Sequence, residues 1–275
     1  MYEVLDKDII ESELVKHIPK NKRGFKPKVS TLSIVNAILY KLKTGLQWYM
    51  LPVKSFIPEF DYSWNSIYYH FRKWSKMGVW EKIWTRLLKS RRIKMDLSHI
   101  NFDGSHTPCI KGGEKVSYQG RKKRKTTNSL YLTDKNGIPL AMSEPEAGKH
   151  HDTYEIHTHF NEVISILKDS KISVDGLFMN ADSGFDCLRL RALCFQYGMI
   201  PNFARNKRSK TIEDDIYFDP ELYKERYSIE RTNAWLDSFR SLLNRYDTTV
   251  ISWKALNYIA FIVIGLKKSK KFKWV

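Results

Sequence analysis

The chain has 275 residues, 42% of them hydrophobic and 28% charged, which is typical of a globular protein rather than a disordered one. Three cysteines without a CxxC spacing argue against a disulfide scaffold and a zinc ribbon, and favour a reducing cytoplasm. The acidic, polar start does not resemble a signal peptide, and the longest apolar run, 259–266, is far shorter than the roughly 20 residues of a membrane helix. We therefore expect neither a secreted, a membrane nor a fibrous protein.

Positive charge is concentrated in four short stretches. Lys and Arg number 47 against 30 Asp and Glu, a net charge of +17. Residues 20–28, 111–125, 205–210 and 267–273, here called the four basic tracts, hold 21 basic residues and one acidic residue, which leaves the remainder close to neutral. Basic loops on a near-neutral protein are typical of a polyanion binder. Nucleic acid is favoured over a membrane surface because no amphipathic basic helix accompanies the tracts.

The residue pattern in the first third of the chain predicts a helical module. Apolar residues recur at three- and four-residue steps over 29–48, with Ser30 or Thr31 as the N-cap and a glycine at the end. Two further helical stretches follow over 63–78 and 80–88. Helices joined by short turns are compatible with helix-turn-helix DNA binding.

After a domain boundary predicted near residue 95, the pattern changes to that of a mixed α/β sheet flanked by helices. Short strands are predicted to end at Asp103 and at Asp182, and a hairpin turn at 134–137 joins two others. The helices predicted here cover 153–167 with Asp152 as N-cap, 187–197, 223–245 and the buried segment 253–266.

Three carboxylates in this second part have positions suited to metal ions. Asp103 and Asp182 follow buried-type strands, at the edge where α/β sheets bind ligands. Glu230 lies in the long helix, four residues after Arg226. Mg²⁺ prefers carboxylate oxygens, and a pair of such ions stabilises the attacking and leaving oxygens of a displacement at phosphorus. Each acid alone is more typical of a turn, a cap or a solvated surface, but the combination with the basic tracts favours phosphoryl transfer.

Three sequence blocks carry a resemblance to a known family. They read DGSHTPCIKGGEKVSYQGRKKRKT, NADSGFD and ERYSIERTNAWLDSFRSLLNRYD, and they follow the helical stretches NAILYKLKTGLQWYMLP, SWNSIYYHFRKW and GVWEKI. In order and spacing, with 79 residues from the first Asp to the second and 48 from there to the Glu, the blocks resemble the DDE transposases of bacterial insertion sequences. The most similar group is the one named for insertion sequence five, related to the insertion-sequence-four superfamily. The resemblance covers about residues 25–250.

The resemblance implies an α/β, RNase H-like mixed-sheet catalytic core over 96–275, preceded by an all-helical module over 1–95 that binds DNA ends. Asp103, Asp182 and Glu230 would hold two Mg²⁺ ions, with Mn²⁺ tolerated. The implied activity is binding of terminal inverted repeats, hydrolysis at the element end and transfer of the 3′-hydroxyl to target DNA. The implied partners are double-stranded DNA and a second copy in an active homodimer, in the bacterial cytoplasm and at the nucleoid when bound to DNA.

The family signature on the helix that carries the Glu is matched by Tyr223, Arg226 and Glu230, but Asp237 stands where the family has Lys. Arg231 or Arg240 could replace that phosphate contact, or the contact could be absent. The residues expected to contact DNA are Lys26, Lys28, Arg121, Lys122, Lys123, Arg124, Lys125, Arg205, Lys207, Arg208, Tyr223, Arg226, Arg231 and Arg240.

Other residues leave alternatives open. His106, three residues after Asp103, could lie near the metals or the scissile phosphate. The sequence KHHD at 149–152 looks like a metal-binding motif, but a structural or phosphate-facing role is more typical of adjacent histidines. Two other functions also fit: a non-catalytic, DNA-binding descendant of a transposase, and a metal-dependent nuclease on the same fold.

Overall fold

The computed structural model describes residues 3–20, 29–205 and 217–271. The helices are α1 (Lys7–Ile9, continued by a π-helix at Ile10–Leu14 and a 3-10 helix at Val15–His17), α2 (Thr31–Thr44), α3 (Val53–Phe56), α4 (Trp64–Lys76), α5 (Val79–Lys89), α6 (Ile156–Asp169), α7 (Leu188–Gln196), α8 (Pro220–Lys224), α9 (Ser228–Asp237), α10 (Arg240–Leu243) and α11 (Val250–Lys271). The strands are β1 (His99–Pro108), β2 (Ser117–Gln119), β3 (Arg124–Asp134), β4 (Pro139–Met142), β5 (Glu146–Ala147), β6 (Phe178–Ala181) and β7 (Ile200–Phe203).

The N-terminal helices begin and end where their capping residues predict. The Ser30 hydroxyl accepts a hydrogen bond from the backbone N–H of Leu32 at the start of α2, and Ser63 caps α4 in the same way. Gly45 ends α2 in the left-handed conformation, with φ of 70°. Gly78 makes the turn between α4 and α5, with φ of 64°. The three predicted helical stretches are confirmed.

The sheet is mixed, with the order β2-β3-β1-β6-β7, and β4 and β5 also pair with β3. β1 is antiparallel to β3 and parallel to β6, which in turn is parallel to β7. This arrangement confirms the predicted α/β fold, with the helical part preceding the sheet.

A row of buried asparagines crosses the three parallel strands. Asn101, Asn180 and Asn202 are in register, and each amide nitrogen of the second and third donates to the carbonyl oxygen of the asparagine before it, at 3.0 and 2.8 Å. The Asn101 amide also donates to the Ser228 hydroxyl at 2.8 Å, and the Asn180 amide to the backbone carbonyl of Leu222 at 3.2 Å. Because buried amides need partners, this row fixes the segment that leads into α9 over the sheet.

Two strand and helix boundaries differ from prediction. β1 continues past Asp103 to Pro108, because β3 pairs with it as far as Thr126. The helix predicted to start after Asp152 starts at Ile156 instead, because the Asp152 carboxylate accepts a hydrogen bond from the Asn128 amide at 2.7 Å and does not cap the helix.

The prediction of one long helix over 223–245 is also wrong. The chain forms α8, a 3-10 turn, α9 and α10 over this range instead. The break between α9 and α10 has a local cause. Phe239 is extended, with φ −94° and ψ 105°, and the Lys43 ammonium donates to the backbone carbonyl of Ser238 at 2.8 Å. A basic side chain from α2 therefore binds the end of α9 and helps to terminate it.

α11 joins the helical part to the sheet. Its Phe261 ring lies 5.8 Å from the ring of Trp84 on α5, and the Trp84 indole donates to the backbone carbonyl of Leu140 on β4 at 2.9 Å. The segment Val250–Ser269 is long and apolar enough to cross a membrane, but 78% of its most apolar stretch is buried inside the protein. It therefore has the character of a core helix, as predicted for 253–266.

Candidate catalytic centre

Asp103 and Asp182 come together through the register of two parallel strands. The last parallel pair between β1 and β6 is Phe102 with Ala181, so that Asp103 and Asp182 are the next residues on neighbouring strands. Paired positions on strands about 4.8 Å apart point their side chains to the same face. Asp182 also accepts a hydrogen bond from the backbone N–H of Gly184 at 2.8 Å, which turns the chain away from the sheet.

The surroundings of Asp103 disfavour its charged form. Burial raises the pKa of the Asp103 carboxyl to about 7, and the nearby charges of Asp182 and Asp152 act in the same direction. The N–H of Gly104, which donates to Asp103 at 2.8 Å, and the Arg226 guanidinium, 3.9 Å away, oppose that rise. Two adjacent carboxylates with one cation beside them form a site whose charge is balanced better when a further cation binds.

Arg226 is held over this pair by its own neighbours. Its guanidinium lies 5.7 Å from the centre of the Tyr223 ring, a cation–π contact that directs it from the 3-10 turn Glu225–Tyr227 toward Asp103. Asp103 shares a sheet face with Asn101, which anchors Ser228 at the start of α9. The chain before α9 therefore carries Arg226 to the face on which Asp103 lies.

Glu230 lies on an exposed face of α9. Glu230, Asn233 and Asp237 follow one another at helical spacing and form one stripe along that face. Within the described residues, no three His, Cys, Asp or Glu side chains are close enough together to hold one ion. The structure brings Asp103 and Asp182 together, and the role of Glu230 as third ligand stays a prediction.

Asp152 and His106 meet on the opposite side of β1 from Asp103. Side chains alternate along a strand, so that Gly104 and His106 face away from Asp103. His106 is buried, and its Nε2 atom lies 3.6 Å from the Asp152 carboxylate. Burial by itself raises the pKa of Asp152. Hydrogen bonds from His106 and the Asn128 amide, together with the charges of His106 and Arg121, have the larger effect and hold this pKa below its usual value. His106 contacts this acid rather than the Asp103–Asp182 pair.

Comparison with known proteins shows the family of the chain. Residues 95–267 match the sequence profile of the DDE superfamily endonucleases, and residues 8–84 match that of the transposases of the IS4/5 family. The chain belongs to the DDE superfamily of endonucleases as an IS4/5-type transposase. It is 31% identical over 121 residues to the 16.2 kDa protein of insertion element IS402 of Burkholderia cepacia, covering 40% of this chain and 80% of that protein.

One solved transposase structure has a similar fold. The piggyBac transposase in a synaptic complex with hairpin DNA matches with a TM-score of 0.53 at 11% identity, covering 97% of this chain and 74% of that one. The Mos1 strand transfer complex matches with a TM-score of only 0.30 at 12% identity, over 93% of this chain and 83% of that one. The first likeness concerns the fold alone.

The described basic residues of the transposase lie on several surfaces. Arg121, Lys122, Lys123, Arg124 and Lys125 are all exposed, at the hairpin between β2 and β3. Arg205 and Arg240 are exposed as well, and Arg231 lies 5.5 Å from the centre of the Tyr227 ring. The predicted DNA contacts Lys26, Lys28, Lys207 and Arg208 lie outside the described residues.

Lys122 lies near enough to Asp237, the residue that stands where the family signature has Lys, for its charge to act on that carboxyl group. Its ammonium donates to the backbone carbonyl of His106 at 3.2 Å. Burial raises the pKa of Asp237, and the positive charge of Lys122 opposes that rise. A cation from the β2–β3 hairpin thus approaches the place where the family carries its own Lys on the helix.

α4 has one exposed, polar face that the sequence pattern alone does not predict as a binding surface. Ile67, Phe71 and Trp74 bury one side of this helix. The opposite side exposes Asn65, Tyr69, Arg72 and Lys76, which border a shallow hollow of about 630 Å³. No acid occurs between residues 64 and 76. Asn65, Tyr69, Arg72 and Lys76 in SWNSIYYHFRKWSK, at spacings of four, three and four residues, carry this signal in the sequence.

Proposed function

We propose that this transposase hydrolyses the phosphodiester at the element end and transfers the freed 3′-hydroxyl to target DNA. The observation that carries the proposal is the pairing of Asp103 and Asp182 at neighbouring register positions, with Arg226 beside them. Such an arrangement serves phosphoryl transfer, because that reaction needs charge stabilisation and positioning rather than a protein nucleophile.

The donor set fits divalent metal ions. Asp103 and Asp182 supply hard carboxylate oxygens, and Glu230 is proposed as the third ligand. Burial and the neighbouring acid raise the pKa of Asp103 to about 7 although Arg226 lies nearby, and a further cation bound to the pair would favour its charged form. Two bound Mg²⁺ or Mn²⁺ ions would supply stabilisation of the attacking and leaving oxygens.

The protein's own residues position the DNA phosphate. Arg226 lies against Tyr223 and close to Asp103, where its guanidinium can bind a non-bridging phosphate oxygen and stabilise charge that develops there. Lys122 on the β2–β3 hairpin, whose charge acts on Asp237, is proposed to supply a second cation for the DNA phosphates. The backbone N–H of Gly104 donates a hydrogen bond to the Asp103 carboxylate and thereby fixes its orientation.

The N-terminal helices are proposed to bind the terminal inverted repeats through the exposed face of α4. Asn and Arg side chains pair with base edges in the major groove, and Lys binds phosphate. The core packing of Phe71 and Trp74 holds this helix rigidly while Asn65, Tyr69 and Arg72 remain open to a ligand. Duplex DNA complements the positive charge of this face, whereas a second copy would bring like charges together.

The active complex is proposed to contain two copies of the transposase, because two element ends have to be joined to one target. The basic tracts would then hold end and target DNA through phosphate contacts, which add affinity without reading sequence.

Cleavage and joining of labelled inverted-repeat DNA test the proposal. The repeats are taken from the DNA that flanks the gene. With Mg²⁺ or Mn²⁺, the wild type is expected to nick the repeat end and to form joined products, and Asp182→Asn and Glu230→Gln are expected to lose both activities. Glu221→Gln, on the exposed side of α8, is the matched control. Nicking without joined products would favour the nuclease, and binding without nicking would favour the non-catalytic descendant.

DNA binding tests the α4 face separately. Arg72→Ala is expected to reduce affinity for the repeat duplex about tenfold while binding to a random duplex changes little, since a base contact carries specificity. Lys54→Ala, on an exposed side chain of the neighbouring α3, serves as the control. Equal losses on both duplexes would show that Arg72 contacts only phosphate.

A further inference from the structure

The Asp152 side chain lies directly against the backbone of β1 at Gly104, the residue that follows Asp103. A Cβ atom placed on Gly104 would come within 2.4 Å of the Asp152 carboxylate oxygen, so that no side chain at position 104 can coexist with Asp152 in this place. The Gly104 N–H, in turn, donates to the Asp103 carboxylate at 2.8 Å. Asp152 and Asp103 therefore contact the same residue, from opposite faces of the sheet.

The Asp152 side chain is held by two strands. The Asn128 amide on β3 donates to its Oδ1 atom at 2.7 Å, and His106 on β1 lies 3.6 Å from the same oxygen. His106 and Asn128 face each other in the β1–β3 register, and both are buried. The Nδ1 atom of His106 lies 3.3 Å from the Thr126 hydroxyl, which orients the ring. This carboxylate is therefore fixed in a prepared position.

The neighbouring histidines of the KHHD sequence do not share this position. The His150 ring stacks on Tyr154 with 3.7 Å between ring centres, and the Nδ1 atom of His151 lies 2.8 Å from the Thr153 hydroxyl. Both rings bind within their own loop, so that Asp152 alone of the three reaches β1. Among the residues that the structure describes, the KHHD side chains are not part of any cluster that could hold a metal ion.

We infer that Asp152 is a positioning residue for Asp103 and raises the affinity of the Asp103–Asp182 pair for divalent metal. This inference rests on the proposed function. Asp152 acts in two ways: it fixes the backbone at Gly104, whose N–H orients the Asp103 carboxylate, and it adds a third negative charge close to the pair. Because it lies on the opposite sheet face, it does this without touching the metal. Partners of metal ligands elsewhere change metal affinity or activity 10–100-fold.

Binding of Mn²⁺ to the DNA-free transposase tests this role directly. The free Mn²⁺ signal in electron paramagnetic resonance gives the dissociation constant without any turnover. Asp152→Asn keeps the shape and the hydrogen bond from Asn128 but removes the charge, and we expect it to weaken Mn²⁺ binding about tenfold. Nicking should then need more Mn²⁺ but reach the wild-type rate at saturation. Asp169→Asn, which removes an exposed charge at the end of α6, is expected to bind Mn²⁺ as the wild type does.

Gly104→Ala provides a second variant that removes no charge. Its added methyl displaces Asp152, and Mn²⁺ binding is expected to weaken in the same direction. Wild-type Mn²⁺ affinity in both Asp152→Asn and Gly104→Ala, together with loss of binding in Asp103→Asn, would overturn the inference and leave the proposed function intact. Wild-type affinity in Asp103→Asn and Asp182→Asn as well would instead overturn the proposed metal site.

Discussion

Asp103 is a buried acid whose surroundings oppose its ionisation in the absence of metal. Its pKa is raised to about 7 in the folded protein, from 3.8. Between these two values the folded protein keeps a proton that the unfolded chain releases, so that the free energy of unfolding falls as pH rises through this window. Above about pH 7 the full destabilising effect of the buried charge is present.

Asp103→Asn is therefore expected to stabilise the metal-free transposase at pH 8 and to leave its stability unchanged near pH 4. The melting temperature in the presence of a chelator should rise by a few degrees at pH 8, which is typical of a residue kept for activity at the expense of stability. Asp169→Asn, with an exposed side chain, should change neither value. A lower melting temperature for Asp103→Asn at pH 8 would contradict the assigned environment.

Residue types and spacing predict Asp103 and Asp182 beside the sheet, and the register of β1 with β6 brings the two acids to neighbouring positions, although β1 does not end at Asp103. Their role as metal ligands stays a prediction. The same pattern predicts Asp152 as an N-cap, because it precedes a helical stretch, and this prediction is wrong. Its actual partners, Asn128 and Gly104, lie at least 24 residues away in the chain. Such contacts depend on strand register, which a single sequence does not reveal.

At the scale of elements, the position of α9 depends on a tight contact with the β3–β4 hairpin. Gly137 in this turn has φ of 81°, and its carbonyl accepts a hydrogen bond from the Thr232 hydroxyl at 2.5 Å. A Cβ atom on Gly137 would lie 2.6 Å from the backbone carbonyl oxygen of Ser228. The hairpin and the start of α9, two residues before Glu230, are therefore in direct contact.

Gly137→Ala is expected to destabilise the protein by about 2–4 kcal/mol, through backbone strain and overpacking, and to reduce nicking because α9 is displaced. Gly176→Ala is the matched control: φ there is 77°, but no atom lies within 4 Å of an added Cβ. This control should lose only about 1 kcal/mol in urea unfolding, from strain alone, and keep its activity. Equal effects of the two substitutions would exclude the contact with α9 as the cause.

The helices of the N-terminal part could be predicted because capping residues and apolar periodicity agree there, as at Ser30 and Ser63. The segment 223–245 could not, since its apolar pattern continues through the break at Phe239. A tertiary contact, the Lys43 ammonium on the carbonyl of Ser238, helps to end α9 there. Local pattern therefore predicted the presence of a helix but not its length.

At the scale of the whole molecule, the helical part and the sheet share one hydrophobic core. Trp84 contacts both Phe261 on α11 and the carbonyl of Leu140 on β4. The division near residue 95 stays a prediction. The shared core means that α4 and the acids on β1 and β6 belong to one packed body. The net charge of +17 on this body makes its binding to DNA dependent on salt.

The most direct measurement is nicking of inverted-repeat DNA by Asp182→Cys in Mg²⁺ and in Mn²⁺. A thiolate is a poor ligand for the hard Mg²⁺ ion and a better one for softer transition metals. If Asp182 binds the catalytic metal, the variant should be inactive in Mg²⁺ and regain part of its nicking in Mn²⁺, whereas Glu221→Cys should match the wild type in both. Wild-type nicking by Asp182→Cys in Mg²⁺ would contradict a metal-binding role for Asp182.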